Sequence, residues 1–100
     1  MNNVHRNILQ TSCTYLIDNI TSVEGICDYL MTDGILDPGL KDTILTKTPK
    51  PKGQIRELIY NQLPKRGPTA FDCFIDALNN TNQEYIAKHL NNQLPQNSIT

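Results

Sequence analysis

Apolar side chains recur along this chain at intervals of three and four residues, and no segment alternates in the manner of a half-buried strand. Such spacing places the apolar residues on one face of an α-helix. Start and stop signals divide the chain into six predicted helices, of which the first covers about residues 3–20 and the fourth about residues 52–63. The remaining helices are delimited by the signals at their ends.

The second and third predicted helices have the clearest end signals. Residues 21–24 form a potential capping box at the start of the second helix, in which a hydroxyl and a carboxylate satisfy each other's end amides. Gly34 can close that helix in the left-handed conformation. Asp37 and Pro38 are typical N-cap and first residues of a third helix. Two prolines within residues 48–53 predict a break after it, because proline does not fit the interior of a helix.

The fifth predicted helix follows a basic turn that contains Gly67 and Pro68. Proline suits the first helical position, where its fixed φ fits and its missing N–H is not needed. Residues 81–84 form a second potential capping box and begin the sixth helix. Residues 93–100 are predicted to be a tail or linker, which leaves residues 1–92 as the domain.

Each predicted helix has one apolar face, and together these faces predict the core of a compact antiparallel bundle. The predicted inward residues are Ile8, Leu9, Cys13, Leu16, Ile17, Ile20, Val23, Ile26, Cys27, Leu30, Met31, Leu40, Ile44, Leu45, Ile55, Leu58, Ile59, Leu63, Ala70, Phe71, Phe74, Ile75, Leu78, Tyr85, Ile86 and Leu90.

Composition narrows the class of protein. One hundred residues correspond to a single domain, and a hydrophobic content of 38% supplies a core. No run approaches the roughly 20 apolar residues of a membrane span, and no signal-peptide core follows the first residues. The three cysteines, Cys13, Cys27 and Cys73, lie in helical apolar runs without a Cys-x-x-Cys or Cys/His cluster, so we expect buried thiols, no disulfide and no metal site. A cytoplasmic location is expected.

Charge is sorted along the chain, although the net charge is only −1. Acidic residues predominate between positions 18 and 42, and basic residues predominate between positions 47 and 66. Two unlike surfaces on one molecule favour a head-to-tail contact that can propagate, and complementary charge would steer encounter and fix register. The acidic candidates are Glu24, Asp28, Asp33, Asp37 and Asp42, and the basic candidates in the second segment are Lys50, Lys52, Arg56, Lys65 and Arg66. Arg6, the only basic residue of the first helix apart from His5, is a further basic candidate.

Other classes of function are less compatible with the sequence. His5 and His89 are the two histidines, and neither belongs to a recognisable nucleophile constellation, so no catalytic residue is assigned and no enzyme is expected. The third and fourth predicted helices could imitate a helix-turn-helix that binds phosphates through the basic residues. That alternative stays open, although DNA-binding domains of this size are commonly basic overall and a Pro-rich connection is unlike the usual tight turn. We therefore expect no nucleic-acid partner.

Three segments resemble the caspase recruitment domain (CARD) family, most closely the prodomains of initiator caspases. Leu16-Ile17-Asp18-Asn19-Ile20 is similar to the end of the family's first helix, and residues 26–36 are similar to its second helix and turn. Arg66-Gly67-Pro68-Thr69-Ala70-Phe71 through Leu78, followed by Leu90, is similar to the last two helices. The last segment is the most specific of the three.

The resemblance implies an all-α fold, a six-helix antiparallel Greek-key bundle of the death-fold group with a kinked first helix. It also implies that a basic surface from the first and fourth helices pairs with an acidic surface from the second and third. Asp28 and Asp33 match the acidic side, and Lys52 and Arg56 match the basic side; Arg56 is the strongest single candidate, because arginine suits a bidentate carboxylate pair. Where caspase members often carry an arginine midway along the first helix, this chain has Cys13.

The resemblance further implies a function without cofactors. The chain is expected to be a homotypic interaction module that recruits an initiator caspase, or is part of one, in apoptosis or inflammatory signalling. Its partner would be another CARD-containing protein, with self-association as a further expectation and no membrane partner. A stand-alone decoy that blocks such assembly is the alternative within the family.

Overall fold

The computed structural model describes residues 3–47, 50–67 and 69–94, and these ranges are helical with no strand among them. Helical spacing along the chain therefore does predict the fold class correctly. The helices are α1 (Asn3–Thr11), α2 (Cys13–Asn19), α3 (Val23–Thr32), α4 (Pro38–Lys47), α5 (Pro51–Arg56), α6 (Ala70–Asn80) and α7 (Glu84–Asn91). None of the helices in these ranges has the length and apolarity that crossing a membrane requires.

The first predicted helix is continuous in hydrogen bonding but bent at Ser12, which separates α1 from α2. Ser12 has φ −95° and ψ 4°, outside the helical region. Its N–H still donates to the Ile8 carbonyl and its carbonyl still accepts from the Leu16 N–H, each at 2.9 Å. The chain therefore changes direction here while both backbone groups of Ser12 stay hydrogen-bonded. It agrees with the kink that the family resemblance implies.

The fourth predicted helix is longer and less regular than expected. Pro51 is the first residue of α5, where its missing N–H costs nothing, so the predicted break is shorter than residues 48–53; Thr48 and Pro49 lie outside the described residues. After α5 the chain continues as a π-helical turn, Glu57–Gln62, and a 3₁₀ turn, Leu63–Lys65. A π turn contains one residue more than an α turn, which shifts the side chains beyond it around the helix axis.

Two end signals are confirmed. The carboxylate oxygen Oδ1 of Asp37 accepts the N–H of Leu40 at 2.8 Å, as an N-cap does. Gly34 has φ +78° after the last turn of α3, in the left-handed region that glycine adopts readily. Pro68, predicted to begin the fifth helix, lies outside the described residues.

Both predicted capping boxes are wrong. Ser22 and Gln83 are the N-cap residues of α3 and α7, and neither side chain makes a cap hydrogen bond. The Thr81 hydroxyl instead donates back to the Ala77 carbonyl of α6 at 2.8 Å. A threonine that follows one helix closely can bond to that helix as readily as to the next, so the sequence pattern alone was ambiguous.

One continuous core lies between the helices, and nearly all the predicted inward residues belong to it. Ile17, Met31, Leu40 and Leu45 are only partly buried against this core. Tyr85 was predicted inward but is 51% exposed, because its hydroxyl reaches the surface and donates to the Asn19 carbonyl at 3.1 Å. Leu94 packs against the core and residues 95–100 lie outside the described ranges, so the division into domain and tail stays a prediction.

The cysteines follow the expectation in part. Cys13 and Cys27 are buried, whereas Cys73 is partly exposed, and all are free thiols. Burial raises the pKa of the Cys27 thiol to about 11. Because the thiolate is the reactive form of cysteine, little of this thiol is in its reactive form at neutral pH.

Candidate interaction surfaces

The acidic candidates on α3 and α4 are joined by a lysine. Lys41 Nζ on α4 lies 2.5 Å from Asp28 Oδ1 and 3.7 Å from Glu24 Oε2, both on α3. The side chains of Glu24 and Asp28 are 71% and 54% exposed, whereas that of Lys41 is 22% exposed. The hydrogen bond to Asp28 raises the pKa of Lys41, so its ammonium remains charged. Glu24, Asp28 and Lys41 thus form a compact group, named here the Lys41 cluster.

Asp42, the next residue on α4, lies beside this cluster. It is exposed, and with Glu24 and Lys41 it lines a surface cavity of about 370 Å³ whose other walls are apolar: Met31, Pro38 and Leu45. Carboxylates at the rim of an apolar cleft suit a long cationic side chain, whose stem packs on apolar surface while its head pairs with the acids.

Asp33 and Asp37 are exposed but have other neighbours. The Asp37 carboxylate caps α4. Asp33 ends α3 and faces Cys73 of α6; burial, and then the charge of Asp33 and a hydrogen bond to it, raise the pKa of the Cys73 thiol. The structure therefore brings Glu24, Asp28 and Asp42 together and places Asp33 toward α6.

The basic candidates form two groups. Arg6 Nη2 of α1 donates to the Pro64 carbonyl at 3.1 Å, which places Arg6 at the end of the 3₁₀ turn, beside Lys65 and Arg66. Lys65 is exposed and Arg66 is half-buried. This contact links the first helix to the end of the fourth predicted helix, although their residues are distant in sequence.

The second basic group comprises Lys50, Lys52 and Arg56, all exposed, on α5 and at its N-cap. Lys52 Nζ lies 3.9 Å from Asp18 Oδ1 of α2, so one acid lies within the basic group. A second surface cavity, of about 440 Å³, is lined by Glu24 of α3 and by Pro51 and Gln54 of α5. The acidic and basic groups thus adjoin near the start of α5.

Tyr60 is a surface residue that the sequence analysis missed. It is 45% exposed in the π turn, and its hydroxyl is hydrogen-bonded to the Cys13 thiol, which raises the pKa of Tyr60. The charge of Arg56 also reaches this hydroxyl and acts in the opposite direction. Cys13, at the position where the family resemblance implies an arginine, is buried beneath this contact. The sequence offers only a weak signal for this position: Tyr60 lies four residues after Arg56, a spacing that places two side chains on the same side of a helix.

Both histidines stack on aromatic rings. The ring of His5 stacks on Phe71 with centroids 4.2 Å apart, and that of His89 stacks on Tyr15 at 3.8 Å. Within residues 3–47, 50–67 and 69–94, no three His, Cys, Asp or Glu side chains lie close enough to hold a metal ion. The exposed charged groups of α3, α4 and α5 are therefore the most distinctive chemistry of the described surface.

Comparison with protein families gives one match: the family model described as caspase recruitment domain matches residues 6–93. A comparison with curated proteins finds no match. The matched range begins at Arg6 in α1 and extends beyond α7, so it includes all of α2 to α7 and most of α1.

Proposed function

Because the chain belongs to the caspase recruitment domain family, we propose that it pairs with another CARD through the acidic residues of α3 and α4 and the basic residues of α5 and its flanks. The family fold is the death fold, a Greek-key bundle of six antiparallel helices, and its members are homotypic protein-interaction modules of apoptotic or inflammatory signalling. This chain is such a module, and its family acts by binding rather than by catalysis.

The proposal rests on one observation above all: exposed carboxylates of two helices converge, while exposed bases line a neighbouring helix. Glu24 and Asp28 lie together on α3, Asp42 lies beside them on α4, and Arg56 is exposed on α5. An arginine can hold a carboxylate through two parallel hydrogen bonds, which fixes orientation as well as attraction. We therefore pair Arg56 of one molecule with the Asp28 region of the other.

The remaining candidates would extend the two surfaces. Glu24 and Asp42 flank Asp28, and Asp33 and Asp37 would widen the acidic surface at its ends. Lys50 and Lys52 would extend the basic surface along α5, and Arg6, Lys65 and Arg66 would extend it toward the 3₁₀ turn. Tyr60 adds an aromatic side chain beside Arg56, a combination that is frequent at the energetic centres of protein interfaces.

We further propose that the partner is an initiator caspase or its activating adaptor in the cytoplasm, or that this chain is the recruiting domain of such a caspase. The Arg66-Gly67-Pro68 sequence and the segment that follows it support the caspase side, since they resemble initiator-caspase prodomains. The coding sequence after Thr100 separates the alternatives: a protease domain there would indicate a caspase, and an immediate stop codon would indicate a separate adaptor or decoy.

Charge reversal tests the pairing with two copies of this chain, because one chain carries both surfaces. We expect weak self-association of the wild type that falls as salt rises, since the Debye length is only about 8 Å at physiological ionic strength. Arg56→Glu and Asp28→Arg should each abolish self-association in sedimentation velocity, whereas their equimolar mixture should restore it. Lys88→Glu is the control, because it changes the net charge as much as Arg56→Glu does, from an exposed position on α7. It should leave self-association intact.

Circular dichroism separates this result from misfolding. Surface substitutions usually change the free energy of unfolding by less than about 0.5 kcal/mol, so all three variants should melt near the wild-type temperature. No self-association of the wild type at low salt, or equal loss with Lys88→Glu, would contradict the assignment of these surfaces.

A further inference from the structure

Lys41 contacts the two carboxylates, Glu24 and Asp28, that the basic surface of a partner would have to reach. Its Nζ contacts Asp28 and Glu24, and it extends from α4 across to α3. Its side chain is the least exposed of the three, so the ammonium is held between the helices rather than extended into solvent. An arginine arriving from another molecule would meet carboxylates that already have a cationic neighbour.

Lys41 lowers the negative charge that the cluster offers to a partner. Two carboxylates and one ammonium leave a net charge of −1 on a surface that would carry −2 without the lysine. The carboxylate oxygens also have fewer lone pairs to offer, because Asp28 Oδ1 already accepts from Lys41. A partner's base must therefore share or displace this ammonium, and either arrangement weakens its attraction to the surface.

We propose that Lys41 is an internal competitor that holds down the affinity of the acidic surface for the basic surface of a partner CARD. The inference rests on the proposed function and adds a determinant of its strength. Lys41 touches the residues that would bind and does not itself provide an attractive contact. Loss of its charge, by substitution or by acylation of its amine, should therefore strengthen association rather than weaken it.

Neutral and charged substitutions at Lys41 test the proposal. Lys41→Met and Lys41→Gln remove the charge, and Lys41→Arg retains it. Lys88→Met is the matched control, because it changes the net charge equally from an exposed position on α7. Each variant is measured as the full 100-residue chain, by the sedimentation-equilibrium constant for self-association across a series of salt concentrations.

We expect both neutral variants to self-associate more tightly at low salt, by about two- to fivefold, as for an exposed ion pair. The gain should fade as salt rises, since it comes from charge that salt screens. Lys41→Arg and Lys88→Met should remain near the wild type. Weaker or unchanged association of both neutral variants would overturn the proposal, and so would an equal gain in Lys88→Met.

A double variant distinguishes failure of this inference from failure of the proposed function. If the gain acts through the paired surfaces, Lys41→Met should not rescue Arg56→Glu. Should Arg56→Glu abolish association while Lys41→Met adds nothing, only the role of Lys41 is wrong. If Arg56→Glu has no effect, the proposed surfaces themselves are wrong, whatever Lys41 does.

Discussion

Gln83 shows how a single buried polar side chain can replace the capping that the sequence suggested. It is 1% exposed, its Oε1 accepts the Thr21 N–H at 2.9 Å, and its Nε2 donates to the Thr81 hydroxyl at 2.6 Å. It thereby ties the loop before α3 to the loop between α6 and α7. These loops are distant in sequence, so the contact joins the start of α3 to the start of α7.

Replacing Gln83 with alanine should lower the free energy of unfolding by about 1–3 kcal/mol, because the Thr21 N–H loses its acceptor and the Thr81 hydroxyl loses the donor that Gln83 supplies. Urea denaturation followed by circular dichroism measures this difference. Gln10→Ala, on the exposed side of α1, is the matched control and should change stability little. Equal stability of the two variants would mean that water replaces the Gln83 amide at no cost.

At the scale of elements, the fourth predicted helix departs most from its sequence pattern. Glu57 is buried in the π turn, with its carboxylate oxygens accepting from the side-chain amides of Asn61 at 2.9 Å and Gln62 at 3.0 Å. The turn places Glu57 in the interior and leaves Arg56 and Tyr60 exposed on either side of it in sequence. Burial of a carboxylate is tolerable only with such donors.

The N-cap of α4 gives a prediction at this scale. Asp37→Ala should lower the free energy of unfolding by about 0.5–2 kcal/mol, since the Leu40 N–H loses its acceptor. Thermal melting at neutral pH measures the effect. Asp42→Ala removes a carboxylate from the same helix without removing a cap, so it should be the more stable variant. The reverse order would mean that the cap contributes less than the charge at Asp42.

Local signals predicted most of these elements, and contacts between distant residues account for the rest. The helical faces, the Gly34 closure and the Asp37 cap depend on neighbours within a few positions, so the sequence reveals them. The second capping box failed because Thr81 bonds back to Ala77, four residues earlier, and Gln83 bonds to Thr21, which only the folded chain brings near it. The π turn could not be predicted from the sequence, because Ile55, Leu58, Ile59 and Leu63 have the spacing of an α-helical face. That spacing does not reveal the one extra residue in the turn.

The candidate surfaces likewise combine features that the sequence predicts with features that depend on how the helices pack. Sorted charge indicated which residues to examine, and all of those on α3, α4 and α5 prove to be at the surface. The sequence could not place Lys41 between Asp28 and Glu24, nor Arg6 on the Pro64 carbonyl, since both contacts depend on how the helices pack. Tyr60 was overlooked because a tyrosine beside buried residues can belong to the core as readily as to the surface.

At the scale of the whole molecule, the head-to-tail direction of the proposed contact decides whether association can continue beyond a dimer. An acidic surface that binds a basic one leaves a free surface at each end of every pair, so association can continue beyond a dimer. The two groups adjoin near the start of α5, where Glu24 lines a cavity with Pro51 and Gln54, and the geometry of successive contacts would set the shape of an assembly. Each end of such an assembly would expose a different surface.

Variants with one reversed surface should therefore limit growth when they are added in small amounts. The Arg56→Glu chain retains its acidic surface, so it should bind to an exposed basic surface and then present the introduced carboxylate to the next molecule, which like charge repels. Light scattering of wild-type chains at high concentration should show smaller assemblies as the proportion of this variant rises. The double variant Asp28→Arg/Arg56→Glu supplies the control, because its net charge equals that of the wild type and both of its surfaces are reversed. It should associate with itself and neither join nor shorten wild-type assemblies; if it shortened them as the single variant does, growth would not depend on matching of the two surfaces.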